Sequence, residues 1–300
     1  MATAIPSPST RREQLDLFRA LPGDIAARDA QDLMAFPFFS LAKTPRLVPI
    51  DFRSGGVTVR VEGTVKHGIA TIWDADILIW AASQLVEARD AGLRTSRRMR
   101  ATPYEILNFI GRGTSVRDYQ RLKAALDRLQ STSIATSIRE TTGRRLHRFS
   151  WINEWKERAG PDGRSLGIEL ILPDWFYAGV MEQTLVLTID SAYFKLMGGI
   201  ERWLYRLVRK HGGHQRRGWQ FSFRHLYLKS GSMARFSDFA LDIRLLVARQ
   251  SLPGYVLSAQ RDAQGTETLL FHCVPFAARK PVNAKAPAVL RAGGQIGESL

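Results

Sequence analysis

The chain has 300 residues, 45% of them hydrophobic, and carries 43 Lys and Arg against 28 Asp and Glu, a formal net charge of +15 at pH 7. That length favours two domains with real cores, and a surplus of cations rich in Arg points to a polyanion, with nucleic acid ahead of an acidic membrane surface. One cysteine, Cys273, excludes an intrachain disulfide and a cysteine-based zinc site, and no stretch approaches the roughly 18 apolar residues of a membrane span.

Residues 1–30 read as a flexible polar arm containing Pro6, Pro8, Arg11 and Arg12, without the sustained apolar run of a signal peptide. The aromatic segment that follows is punctuated by Pro37, Pro45 and Pro49, so it should lie as extended chain against the first domain. Residues 57–73 alternate apolar and polar around Gly63, which suggests a hairpin. Asp74 or Asp76 caps the next helix, whose Ile77, Leu78, Trp80, Leu85 and Val86 form one broad apolar face ending near Gly92. A basic run then supplies Arg97, Arg98 and Arg100 as candidate DNA contacts.

Thr102, Pro103 and Glu105 mark a new helix start, and Gly111 stops it. After the GRGT turn, Thr114 or Ser115 opens a third helix. Val116, Tyr119, Leu122, Leu126 and Leu129 make its buried stripe, which turns Arg117, Gln120, Arg121 and Arg128 outward. A helix of about 10–12 Å diameter fits the major groove, so this outward face is the candidate reading face, with Thr114 and Ser115 at its start. A hairpin from Ser133 to Trp155 follows, turning near Gly143. Its crowded Arg139, Arg144, Arg145 and Arg148 read as the wing, set to contact the phosphate backbone.

The order then repeats. A strand breaks at Pro173, and Asp190 or Ser191 caps a second core helix containing Phe194, Met197, Ile200, Trp203, Leu204 and Leu207. A basic loop with Arg216 and Arg217, a short strand and a supporting helix lead to Ser232, which caps the second reading helix bearing Arg235 and Arg249. A second wing follows, and beyond Pro275 the tail is rich in Ala, Pro and Gly. The pattern defines an α+β protein of two tandem winged helix-turn-helix domains with flexible N- and C-terminal tails. Its parts are an arm over 1–30, a first winged-helix domain over 31–160, a second over 161–276 and a disordered basic tail over 277–300.

No catalytic chemistry shows in the spacing. His211 and His214 flank two glycines without a neighbouring carboxylate, no phosphate-gripping GxxxxGK[ST] loop exists, and no metal or cofactor is implied. The residues alone therefore describe a cytoplasmic, non-enzymatic protein for double-stranded DNA, with no membrane partner. A winged-helix transcriptional regulator without a replication role, and a protein-interaction module, are the alternatives. Whether the second domain reads bases or only grips the backbone stays open.

Four segments resemble the replication initiator protein A family of bacterial plasmids: PFFSLAKTPR, DADILIWAASQL, TPYEILNFIGRGTSVRDYQRLKAALDRLQSTSIATSI, and IDSAYFKLMGGIERWLYRLVRKH with FRHLYLKSGS. The resemblance implies a plasmid replication initiator that binds repeated sites, or iterons, in the origin. It also implies opening of adjacent A·T-rich duplex, recruitment of the host initiator and replicative helicase, a monomer–dimer equilibrium, and a place at the plasmid or nucleoid.

Overall fold

A computed structural model describes residues 16–140, 146–161, 165–213, 218–262 and 264–274. In chain order the first elements are β1 (Leu17–Arg19), β2 (Arg28–Ala30), α1 (Gln31–Ala35), β3 (Ile50–Ser54), β4 (Val57–Glu62), α2 (Ala75–Asp90), β5 (Arg98–Ala101), α3 (Pro103–Phe109) and α4 (Val116–Ser131). There follow β6 (Ser133–Thr136), β7 (His147–Ser150), β8 (Glu154–Ala159), β9 (Ser165–Ile171), α5 (Asp174–Met181) and β10 (Val186–Thr188). A short 3-10 turn at Ser191–Lys195 leads to α6 (Gly199–His211), β11 (Trp219–Ser222), α7 (Phe223–Ser230), α8 (Phe236–Arg249), β12 (Tyr255–Arg261) and β13 (Glu267–Cys273).

Two units share one plan. In the first, α2, α3 and α4 accompany a sheet in the order β1-β5-β9-β8; in the second, α6, α7 and α8 accompany β11-β13-β12. Each unit is thus helix, strand, two helices and a hairpin whose second strand pairs with the strand before the helix pair, which is winged-helix topology.

The hairpin that completes the first sheet is β8–β9, spanning residues 154–171. This corrects the expected wing. The charged hairpin at 133–150 exists as β6–β7, but it joins β3 and β4 in a separate four-stranded sheet. A domain limit at residue 160 would therefore cut the first unit through its own hairpin. The arm is corrected as well: from residue 16 onward it is built into the body, with Phe18, Ile25 and Ala27 buried and β1 running parallel to β5.

Helix α2 is the centre. All its residues but Glu87, Arg89 and Asp90 are buried, so it is covered on every side rather than on one face. Segment 28–50 joins the units instead of lining only the first. Strand β2 pairs with β10, Phe38 and Phe39 are buried, and Arg46 donates to the Gly231 carbonyl at 2.6 Å. The hairpin expected around Gly63 turns earlier, at Gly55 and Gly56, both with positive φ.

The second core helix begins later than the periodicity suggests. Asp190 caps the 3-10 turn by accepting the Ala192 N–H, the chain breaks at Leu196–Gly198, and α6 starts at Gly199. A Cβ on Gly199 would stand 1.9 Å from the Leu41 carbonyl oxygen, so the backbones meet there only because that residue is glycine. Met197, expected inside, is 72% exposed.

Buried ion pairs tie the units. Asp76 of α2 is fully buried and accepts from Arg202 of α6 at 2.8 and 3.0 Å and from Arg112 of the α3–α4 turn at 2.9 Å. Asp29 of β2 holds Arg206 of α6, also buried. Removing Arg202 leaves the buried Asp76 carboxylate with Arg112 alone, and removing either member of the Asp29–Arg206 pair leaves a buried charge without its counterion. Arg202→Met should lower the unfolding free energy by about 3–5 kcal/mol in urea titration.

His211 ends α6, stacked on Trp219 with Phe221 edge-on. Burial, aided by Lys210, Lys229 and His225, pushes its pKa down from 6.5 to about 4. The unfolded chain then binds the extra proton first, so stability is lost as pH falls from 6.5 towards 4. His211→Phe should flatten the loss of melting temperature between about pH 6.5 and 5.

Candidate nucleic-acid interface

The first helix pair is fixed by two capping boxes. The Thr102 hydroxyl accepts the Glu105 N–H while Glu105 accepts the Thr102 N–H, and Ser115 and Asp118 repeat the exchange at the start of α4. Gly111, at φ +65°, ends α3 in a conformation that side chains resist. A Cβ on Gly113 would meet the Asp118 carboxylate at 2.6 Å. The turn is thereby set, and Arg112 anchors it to buried Asp76.

Helix α4 buries Leu122, Ala125, Leu126 and Leu129. Its outer face presents Val116, Arg117, Gln120 and Arg121, all exposed. Arg117 and Gln120 have no side-chain partner among the described residues, and Arg121 makes only a 3.5 Å contact with Asp118. Thr114 is exposed beside them, whereas the Ser115 hydroxyl is taken by the cap and by Asp118 at 2.6 Å. That hydroxyl, first among several causes, holds the Asp118 carboxyl below its ordinary pKa. Arg128 faces inward and forms a two-pronged bond with Asp74 at 2.8 and 2.7 Å, so it does not belong to the outer face.

Several other expected contacts are structural. Arg97 pairs with Asp174 at 2.9 Å and donates to the Leu172 carbonyl. Arg98 and Arg100 both donate to Glu169 of β9. Arg139 bonds Asp32 at 2.8 Å and the Trp175 carbonyl at 2.5 Å, with its guanidinium 4.1 Å from the Trp175 ring centroid. It is a packing residue of the central body, not a wing contact. Arg148 is exposed on β7, the edge of the third sheet, without a partner among the described residues. Arg144, Arg145, Arg216 and Arg217 lie outside the described residues.

In the second unit Arg235 occupies the N-cap position of α8, so the helix starts three residues later than a Ser232 cap requires. The Ser232 hydroxyl accepts the Ala234 N–H within the turn instead. Arg235 and Arg249 are exposed at opposite ends of α8. Between them the outer face carries Asp238, Leu241, Asp242 and Leu245, with the two leucines 53% and 41% exposed. This face differs from that of α4: its acids repel phosphate, and its leucines offer apolar contact only.

A cleft of about 730 Å³ runs along the flank of α4 that faces the second unit. Lys43, His67, Arg121 and Lys195 line it together with Trp73 and Met197. Lys43 lies 5.4 Å from the Trp73 ring centroid, and neither Lys43, His67 nor Lys195 has a carboxylate partner among the described residues. Nothing in the spacing of Lys43, His67 and Lys195 announces them, because the topology assembles them from three separate connecting segments. On the other flank, Lys123 pairs with Glu157 of β8 and Trp155 donates to Asp127, which seats the β8–β9 hairpin beside the helix. Among the described residues no group of His, Cys, Asp and Glu is arranged to hold a metal, and no helix is long and apolar enough to cross a membrane.

The fold and this face define a tandem winged-helix protein with a basic helix presented to solvent. The profile of the replication initiator protein A family matches residues 28–257, and the chain belongs to that family. A curated protein of Wigglesworthia glossinidia brevipalpis, named for replication, is 34% identical over 226 residues, 74% of this chain and 81% of that protein. Crystal structures of domains 2 and 3 of RctB share the fold. One superposes with a TM-score of 0.58 at 14% identity over 81% of this chain and 98% of the other; a second gives 0.53 at 13% over 83% and 98%. The family places the protein's role in the initiation of replication.

The split between structural and free arginines is measurable. Arg139→Ala should cost about 2 kcal/mol of stability yet leave DNA affinity per folded molecule unchanged. Arg117→Ala should leave stability within about 0.5 kcal/mol and weaken binding, as parallel melting and binding curves will show.

Proposed function

We propose that the protein initiates plasmid replication as a non-enzymatic, sequence-specific reader of repeated duplex sites in the origin. The observation that carries this reading is the outer face of α4, where Arg117 and Gln120 are exposed, unpaired and fixed behind two capping boxes. Arg suits a bidentate contact with guanine and Gln with adenine in the major groove. Lys43 and Lys195 in the flanking cleft suit the phosphates that border that groove. The β8–β9 hairpin braces α4 on its other flank, through Lys123 with Glu157 and Trp155 with Asp127.

The second unit contributes length and anchoring. Arg235 and Arg249 are spaced to meet backbone at the two ends of α8, while Leu241 and Leu245 suit thymine methyl groups better than polar base edges. Two units in one chain raise affinity through effective concentration and lengthen the site that one molecule discriminates. Opening of the neighbouring duplex then draws on binding energy from several molecules that favour bent DNA at flexible steps, without ATP. Recruitment of the host initiator and replicative helicase, and a monomer–dimer equilibrium, complete the proposal.

Selection of bound fragments from random duplex DNA and from DNA flanking the gene tests it. A directly repeated site of about two helical turns is the expected result. A single short palindrome would instead favour a dimeric regulator, and tight binding without enrichment would remove base reading altogether. On the selected site, Arg117→Ala or Gln120→Ala should erode discrimination by about 1–3 kcal/mol. Lys43→Ala and Lys195→Ala should weaken binding to all sequences and reduce the salt slope by about 1 each.

A further inference from the structure

The β1-β5-β9-β8 sheet has two faces of opposite character. One carries Phe18, Met99, Ile168 and Leu170 into the core. The other carries Arg19, Arg98, Arg100, Lys156 and Arg158, with Glu169 among them and Glu154 at one side. Glu169 has a side chain only 2% exposed. It accepts from Arg98 at 3.0 Å and from Arg100 at 3.1 Å, and it lies 3.6 Å from Arg158 and 4.0 Å from Lys156. Its carboxyl, bonded by Arg100 and Arg98, is held at about 2 and stays charged at any working pH.

One carboxylate therefore serves four cations, and the only other acid on the face among the described residues, Glu154, contacts Lys156 at 3.5 Å. Among the described residues, five cations against two carboxylates leave the face electropositive, and like charges this close repel unless an external anion joins them. Arg98 and Arg100 are largely committed to Glu169, while Lys156 and Arg158 keep 47% and 43% of their side chains in solvent and Arg19 is exposed. Among the described residues the face has no aromatic ring, so it offers charge along a track but no platform on which a base can stack. The sheet itself separates it from α4, which is touched from the inner face by Trp155.

We infer that this sheet face is a second backbone-binding surface, which holds a phosphodiester strand outside the groove that α4 occupies. It rests on the reading that α4 faces DNA. The strand comes either from the flank of the same duplex, bent around the first unit, or from a second duplex.

The test uses the full chain and two double variants, Lys156→Gln with Arg158→Gln and the charge-reversed Lys156→Glu with Arg158→Glu; thermal melting confirms that at least the first pair folds. Affinity is compared on a minimal site and on the same site with long flanks, and capture of a labelled second duplex by bead-bound site DNA is scored. Wild type should gain about tenfold from the flanks, or capture the second duplex, and the glutamine pair should lose that gain while binding the minimal site within about twofold. Loss of the flank gain assigns the strand to the same duplex; loss of capture assigns it to another. A wild type with neither gain nor capture, or gains that persist in both variants, would overturn the inference. Arg117→Ala runs in parallel: if it leaves minimal-site binding intact, the reading of α4 fails, while the flank and capture comparison still decides the sheet face.

Discussion

The buried carboxylate of Asp76 is the constraint on which the arrangement depends. It stands in the first turn of the most buried helix and takes one guanidinium from the second unit and another from the turn between α3 and α4. Burial pushes its pKa up, and Arg202 and Arg112 pull it back. Such a group is costly to bury and costlier to leave alone, so the three side chains hold one another in place. Two winged units joined by a loose linker would explore many separations. Here the acid that fixes the second unit also fixes the turn that aims α4.

The same logic sorts the arginines. A surplus of cations suggests nucleic acid at the level of composition, but much of it is paired within the chain, with buried Asp29, Asp74, Asp76 and Glu169, half-buried Asp32 and exposed Asp174. Among the described residues, the cations left free include Arg117 on α4, Lys43 and Lys195 in the cleft beside it, Arg19 on the outer sheet face, Arg148 on β7, and Arg235 and Arg249 on α8. Function follows from the unspent charge, and the spent charge supplies the rigidity that positions it.

How far the sequence alone reaches depends on the distance between partners. The capping boxes join residues three apart, Thr102 with Glu105 and Ser115 with Asp118, and both helix starts were legible together with Arg117, Gln120 and Arg121 on the outward face of α4, whereas Val116, expected inside, is exposed and Arg128, expected outside, faces inward. Arg98 and Arg100 looked available because their carboxylate arrives some 70 positions later, and Arg139 because Asp32 precedes it by 107. The wing was misplaced for a related reason. Two hairpins follow α4, both with good turn chemistry, and only pairing with β5 decides which completes the winged-helix sheet. Charge density favoured the wrong one. Helix α6 was read as longer than it is because apolar residues continue in phase through the break at Leu196–Gly198, where approach to Leu41 enforces the glycine.

Hydroxyl-radical footprinting of one bound site tests most directly whether the two units act as one rigid reader. Protected backbone windows are expected in successive grooves on a single face of the duplex, about one helical turn apart, both retained by the monomer. A footprint one unit wide, or windows on opposite faces, would contradict it.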